Sequence, residues 1–153
     1  MRGRARSPNS GSLIAGQPCL DFVNTVSWRA SAAPVEGLGQ YRDLVAWSAI
    51  AGLVAAGRAA ELERQAATLP ASAEAVLARA RALREALHRL FGEGAGGGAP
   101  GTSELAILNA ELARAPAIRG LAWADPGFVW SGAEAGSRLE SVLWPLAWSA
   151  AEL

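Results

Sequence analysis

Lysine is missing from this sequence, and cysteine, histidine and methionine each occur once in 153 residues. A phosphate-binding P-loop needs a lysine at a set position, so that site is excluded. The single cysteine, Cys19, has no partner for an internal disulfide, which favours a reducing compartment. One cysteine and one histidine also fall short of the three or four ligands that zinc requires. We therefore expect neither a metal nor another cofactor in this chain.

The shortage of histidine also argues against an enzyme. A Ser-His-Asp or Cys-His centre would have to use His88. The surrounding pattern places His88 among arginines on the flank of a helix, and no feature of the sequence brings Cys19 or a serine to it. We therefore expect a surface histidine and no catalytic residue.

Long apolar runs are missing as well. The longest, Leu44 to Ala56, is too short and too often interrupted to span a bilayer. No continuous apolar stretch follows the N-terminus, as a secretory signal would need. We expect a cytoplasmic protein with no membrane partner. Because 14 basic and 14 acidic residues balance, the chain also has no overall charge that would attract nucleic acid.

The composition is that of a globular protein, with 51% hydrophobic and 18% charged residues. Residues 1–12 are basic and contain Gly, Ser and Pro, so we expect a disordered tail there. In residues 13–153 the apolar residues recur mostly at helical spacing, which predicts a mainly α, multihelical single domain of five to six helices. The predicted helices cover about 18–28, 40–55, 59–69, 72–91 and 103–114, with a last helix that includes 139–150 and that Pro145 should bend.

The fourth predicted helix has the clearest pattern. Its apolar stripe contains Val76, Ala80, Leu83, Leu87 and Leu90, at steps of four and three. The flank away from this stripe carries Arg81, Arg84 and His88, and the spacing allows Arg81 to pair with Glu85.

Two further segments have recognisable signals. The glycine-rich stretch 92–101 contains the letters of a dinucleotide-binding motif, but a helix precedes it where that motif needs a strand. We therefore interpret it as a linker. Around Ala124-Asp125-Pro126-Gly127 the apolar residues alternate, which predicts one β-hairpin near 121–130.

Polar residues interrupt the apolar first helix and are the strongest candidates for a functional site. Buried polar groups need partners, so these residues either cap helix ends and anchor Arg29, or they contact a small ligand. The candidate ligand-binding residues are Asp21, Asn24, Thr25, Arg29 and Trp47.

Six tryptophans offer a second candidate surface. They could line a pocket, form a protein interface or pack in the core with their N–H groups satisfied. Trp144 and Trp148 are four residues apart on one face of the last helix. We therefore assign them to an interface, with a second copy of the chain or with another domain.

The order of several short motifs resembles the ABATE domain of CGNR-type bacterial regulators, which are proposed stress-induced transcription regulators. The resemblance spans nearly the whole chain. It depends on 19–25 (CLDFVNT), 41–47 (YRDLVAW) leading to 51–53 (AGL), 83–87 (LREAL), 108–109 (LN), 128–130 (FVW) and 143–145 (LWP).

This resemblance implies a helical domain that receives a signal and is joined to a C-terminal zinc ribbon that contacts DNA. The ribbon carries several cysteines and a Cys-Gly-Asn-Arg signature, and this sequence has none of those positions. Zinc and DNA are thus expected only through the absent ribbon. Our leading hypothesis is a non-enzymatic, signal-sensing or dimerisation domain with a possible small-molecule effector. The alternatives are a free-standing small-molecule-binding domain or enzyme with a pocket near the first helix, and a partner-binding domain that uses the last helix.

Overall fold

A computed structural model describes residues 16–115, 119–124, 127–132 and 138–153 of the chain. Within these ranges the protein forms six α-helices, one 3₁₀ helix and two short antiparallel ladders, so the predicted mainly α architecture is confirmed. The predicted tail, residues 1–12, lies outside the described ranges. The elements are α1 (Pro18–Val23), β1 (Val26–Ser27), β2 (Val35–Glu36), α2 (Tyr41–Ile50), α3 (Ala56–Thr68), α4 (Pro70–Ala95), α5 (Thr102–Arg114), β3 (Arg119–Ala124), β4 (Gly127–Gly132), the 3₁₀ helix (Leu139–Leu143) and α6 (Trp144–Ala151).

Helix α4 is the element around which the others pack. It contacts α1, α2, α3, α5 and the 3₁₀ helix. The predicted stripe is confirmed, because Val76, Ala80, Leu83 and Leu87 are buried and Leu90 packs against them partly buried. Burial of one leucine side chain contributes about 1.5–3 kcal/mol. The stripe therefore explains why the neighbouring helices assemble on this one.

Helix α4 is longer than predicted at both ends. Pro70 stands in its first turn, where the missing N–H is not needed, so the helix begins before the predicted start at Ser72. At the other end it continues through Gly92 to Ala95, into the segment predicted as a linker. The linker to α5 is thus shorter, residues 96–101.

Helices α1 and α2 are shorter than predicted. The chain leaves α1 after Val23 and enters β1, which pairs with β2. The segment predicted as helix to Trp28 and then as loop therefore contains a small β ladder. Helix α2 ends two residues before Gly52, which has φ of +71°. The Leu53 N–H donates to the Ser48 carbonyl at 2.9 Å, the closure with which glycine commonly terminates a helix.

The C-terminal helix begins where the sequence analysis expected a bend. Pro145 lies in the first turn of α6, directly after the 3₁₀ helix, where a residue without N–H causes no loss. Helix α6 packs on α1, and the Cys19 N–H donates to Ser149 Oγ at 3.2 Å. The 3₁₀ helix that precedes α6 is bound to α2, because the Tyr41 hydroxyl donates to the Leu139 carbonyl at 2.7 Å.

The predicted β-hairpin is confirmed as β3 and β4. In its register Trp123 lies opposite Phe128, and Ala124 lies opposite Gly127. Residues 125–126, where the turn was predicted, lie outside the described ranges. The Trp123 side chain is exposed.

The central position of α4 predicts which leucines carry stability. Leu87→Ala should lower the free energy of unfolding by about 2–5 kcal/mol, because it removes buried methyl groups and leaves a cavity. Leu69→Ala is the matched control, since this side chain is 51% exposed, and it should change stability by about 0.5 kcal/mol or less. Urea denaturation measures both. Equal losses in the two variants would contradict the central role of α4.

Candidate functional site

Three arginines and two glutamates meet between α4 and the segment that follows α1. Helix α4 supplies Arg81, Arg84 and Glu85, whereas Arg29 and Glu36 come from the segment between α1 and α2. We call these five residues the arginine cluster. Because its members come from two separate parts of the chain, the cluster attaches residues 24–39 to the central helix.

Arg84 lies at the centre of the cluster, and its side chain is only 3% exposed. Its two terminal nitrogens donate to the two oxygens of Glu36, Nη1 to Oε1 at 2.7 Å and Nη2 to Oε2 at 2.6 Å. Nη1 also donates to Thr25 Oγ1 at 3.1 Å, and Nε donates to Glu85 Oε1 at 3.1 Å. All three nitrogens of this buried guanidinium thus have acceptors. A parallel pair of charged bonds is the strongest contact that arginine makes with a carboxylate.

Arg29 approaches the cluster from the other side of Glu85. Its Nη1 donates to Glu85 Oε2 at 2.6 Å, and its Nη2 donates to the Val23 carbonyl at 3.0 Å. This second bond caps the C-terminal end of α1, where carbonyls lack helical partners. The Nε atom of Arg29 is buried and has no hydrogen-bond partner among the described residues. Among the five residues it is the one buried nitrogen without an acceptor.

Arg81 binds mainly the backbone of the segment that leads into α2. Its Nε and Nη2 donate to the Leu38 carbonyl at 3.1 and 2.7 Å, and Nη2 also reaches the Gly39 carbonyl at 3.0 Å. Its Nε lies 4.0 Å from Glu36 Oε2. The predicted pair of Arg81 with Glu85 is therefore wrong, because Glu85 is engaged by Arg29 and Arg84.

The electrostatics of the cluster favour the charged form of both glutamates. Burial alone would raise the pKa of Glu36, but bonds from Arg84 and from the Leu38 N–H outweigh it and hold that pKa below its ordinary value. For Glu85 burial is likewise outweighed, here by bonds from Arg29 and Arg84, and its pKa is lowered. Three guanidinium groups then face two carboxylates, so the cluster carries one net positive charge.

The structure brings together part of the predicted ligand-binding set. Thr25 and Arg29 lie in or beside the arginine cluster. Asn24 is exposed at the end of α1, and Asp21 is buried within that helix. Trp47 lies elsewhere in the core, where its ring centroid is 5.4 Å from that of Phe22. That these residues bind a ligand stays a prediction.

The predicted interface pair does not share one exposed face. Trp144 is buried, with 5% of its surface exposed, and its Nε1 has no partner among the described residues. Trp148 is half-buried. Trp28 has an exposed side chain, at 76%. An interface role for the last helix stays a prediction. Because Trp144 is buried, Trp148 is the more accessible tryptophan of the pair.

Sequence reasoning missed Glu36 and misplaced Arg84. Glu36 is 48 residues from Arg84 in the chain, and spacing does not relate residues across that distance. Arg84 was assigned to the flank of α4, which is wrong. It follows Ala80 by four residues and precedes Leu87 by three, so it lies within the buried stripe. A charge at such a position signals a buried ion pair, although not the identity of its partner.

A second ionic network is structural. Arg79 of α4 donates to Glu111 of α5 at 2.9 and 2.6 Å and to Glu140 of the 3₁₀ helix at 2.8 Å. It joins three elements of the core.

Among the described residues no group of three His, Cys, Asp or Glu side chains is placed to hold a metal ion. None of the helices in that part of the chain has the length and apolarity to cross a membrane.

Comparison with known proteins adds one finding. A family model described as "ABATE: Putative stress-induced transcription regulator" matches residues 16–153. No curated protein matches the chain, and no solved structure matches it.

Removal of the charge on Glu36 should destabilise the protein. In Glu36→Gln the buried Arg84 loses its bidentate charged partner, and we expect a loss of about 1–2 kcal/mol in the free energy of unfolding, since Glu36 is 37% exposed and water replaces part of the contact. Glu63→Gln, at an exposed position of α3, should change it by about 0.5 kcal/mol or less. Urea titration compares the two. Equal effects would show that the bond to Arg84 contributes nothing specific.

The lowered pKa values of Glu36 and Glu85 predict acid sensitivity. As the pH falls through the ordinary glutamate pKa of about 4.3, the unfolded chain takes up protons before the folded one, so the stability from these groups is lost. The free energy of unfolding should therefore fall more steeply below that pH in the wild type than in the double variant Glu36→Gln/Glu85→Gln. Urea titrations at a series of pH values measure the two slopes. Parallel curves would contradict the assignment.

Proposed function

The chain belongs to the ABATE family, and from that membership we propose that it is the regulatory domain of a stress-induced bacterial transcription regulator. In this proposal the domain senses a signal or dimerises, and it performs no catalysis. The observation that carries the proposal is the match of the family model to residues 16–153. A domain of this kind acts by changing its shape or its partners when a ligand binds.

The scarcity of reactive side chains supports a non-catalytic role. Cys19 is fully buried in α1, and its thiol donates to the Ser149 carbonyl at 3.6 Å. His88, the only histidine in the sequence, is exposed on α4. A buried thiol and a surface imidazole do not form the activated pair that nucleophilic catalysis uses.

Contact with DNA is proposed to come from another segment. The sequence has no net charge, and its arginines in the cluster and the core network are paired with glutamates. Paired arginines are not free to neutralise phosphates, which provide most of the affinity for DNA. In the CGNR-type regulators that the sequence resembles, a zinc ribbon contacts DNA, and zinc would be held there.

Binding of a small molecule near the first helix is the second candidate function. The specific observation in its favour is the arginine cluster at the end of α1, with its net positive charge and the unpartnered Nε of Arg29. A site with surplus cationic donors suits an anion. Ligand binding and regulation are compatible, since a sensor requires an effector site.

Transcript analysis tests the proposed function. Deletion of the gene in its source bacterium should abolish the stress response of a defined set of transcripts, and the full-length gene should restore it. A gene carrying Glu63→Ala is the matched control and should restore it equally, because Glu63 is exposed and lies outside the arginine cluster. Identical transcript profiles in the deletion strain and its parent, with and without stress, would contradict the proposal.

The charge balance predicts the behaviour of this chain with DNA. In electrophoretic shift assays of the purified chain we expect weak binding without sequence preference, which disappears when salt rises from about 50 to 200 mM. A duplex of shuffled sequence is the control. Tight, sequence-specific binding that persists at the higher salt would overturn the expectation that DNA contact requires another segment.

A further inference from the structure

Residues 26–37, which we call the strap, are held to the body of the protein mainly by charge. Every residue from Ala30 to Glu36 is exposed, so this part of the strap buries little apolar surface. Its two strands contribute only the pairs Val26 with Glu36 and Ser27 with Val35. The ion pairs that attach it to α4 are those of Arg29 with Glu85 and of Glu36 with Arg84, with Arg81 4.0 Å from Glu36.

The strap also contains an unfavourable backbone conformation. Trp28 has φ of +57°, and it is the only non-glycine residue with a positive φ among those described. A bulky side chain is rare in this left-handed region, and such strain persists only where surrounding contacts enforce it. Here those contacts are the β ladder before Trp28 and the bonds of Arg29 after it. Release of the strap would relieve this strain, which lowers the free energy that release requires.

Glu36 makes the contacts that a free carboxylate would make. Both of its oxygens occupy the fork of Arg84, and Arg81 Nε stands 4.0 Å from one of them. Its side chain is partly exposed, whereas Arg84 is buried beneath it. The guanidinium fork selects the planar, two-oxygen geometry of a carboxylate. A dissolved carboxylate could therefore take the same position from the solvent side.

The charge of the cluster favours such an exchange. With Glu36 in place, three guanidinium groups already face two carboxylates. When Glu36 leaves, three guanidinium groups face one carboxylate, so the cluster carries two net positive charges, one of them on the buried Arg84. This state is strongly unfavourable unless another anion replaces the carboxylate. An incoming carboxylate thus replaces Glu36 rather than leaving the site empty.

We propose that Arg84 and Arg81, with Arg29 beside them, form a binding site for a small organic carboxylate, and that Glu36 occupies this site as an internal ligand in the free protein. The external carboxylate displaces Glu36 and frees the strap, including the exposed Trp28. The proposal deepens the sensing role and rests on it for its biological meaning: it names the class of effector and the segment that moves.

Competition with Glu36 sets the expected affinities. An internal group on a short segment acts at an effective concentration of about millimolar or more, so the wild type should bind a free carboxylate more weakly than a variant without Glu36. Acetate is the probe, because it presents the same group as the glutamate side chain. We expect Glu36→Ala to bind acetate at least about tenfold more tightly than the wild type. The side-chain N–H signals of Arg84 and Arg81 in NMR titrations report this binding.

Three variants make the titration decisive. Glu63→Ala is the matched control and should bind acetate as weakly as the wild type. Glu36→Gln retains an acceptor oxygen for Arg84, so it should fold even if Glu36→Ala does not, and it should still bind more tightly than the wild type. Acetate should also raise the melting temperature of the Glu36 variants more than chloride at equal ionic strength. Equal acetate affinity in all proteins, or no shift of the arginine signals, would overturn the site.

Hydrogen exchange tests the displacement in the wild type. The Gly37 N–H donates to the Thr25 carbonyl at 2.9 Å, and the Leu38 N–H donates to Glu36 Oε1 at 2.7 Å. Saturating acetate should accelerate exchange at both amides relative to chloride, whereas amides in the middle of α4 should be unchanged. Acetate binding with unchanged exchange would refute the displacement. Because the transcript experiment uses no acetate, failure of the carboxylate site and failure of the regulatory role are separate results.

Discussion

Arg84 places a full positive charge in the buried face of the central helix, and the rest of the local structure satisfies that charge. A buried charge without partners is strongly unfavourable, so the segment between α1 and α2 must bring Glu36 to it. The bidentate bond between these residues fixes where the segment crosses α4. Arg81 then donates to the Leu38 carbonyl, and the Leu38 side chain packs in the core. One buried guanidinium thus determines the path of a segment that contains little regular structure.

The two ionic networks have different physical characters. Arg79 joins Glu111 and Glu140 between elements whose apolar side chains also pack, so its contacts add to an existing attachment. The arginine cluster instead attaches residues that are largely exposed. Charge interactions near the surface respond to pH, salt and competing ions, whereas buried apolar contacts respond little to them. A region that responds to a dissolved anion is therefore better placed on the strap than in the core.

Together with the proposed sensing role, this division suggests how a signal is converted into a change of shape. The helical core supplies a stable body, and the strap supplies a segment with a few competing contacts. A ligand that favours one state of such a segment shifts its population without unfolding the domain. Trp28, exposed and held in a strained conformation, lies on the segment that would move.

The sequence alone determined the helical architecture, the stripe on α4 and the hairpin of β3 and β4, because these follow from the periodicity of neighbouring residues. The same periodicity was less informative at the ends of helices. Gly52 ended α2 early and Pro145 began α6, since the effect of either residue depends on its place in the helix. Only the tertiary structure decided the candidate site. The bond of Glu36 to Arg84 joins positions 48 residues apart, and a partner for a buried charge is set by how helices and segments pack, which no local spacing encodes.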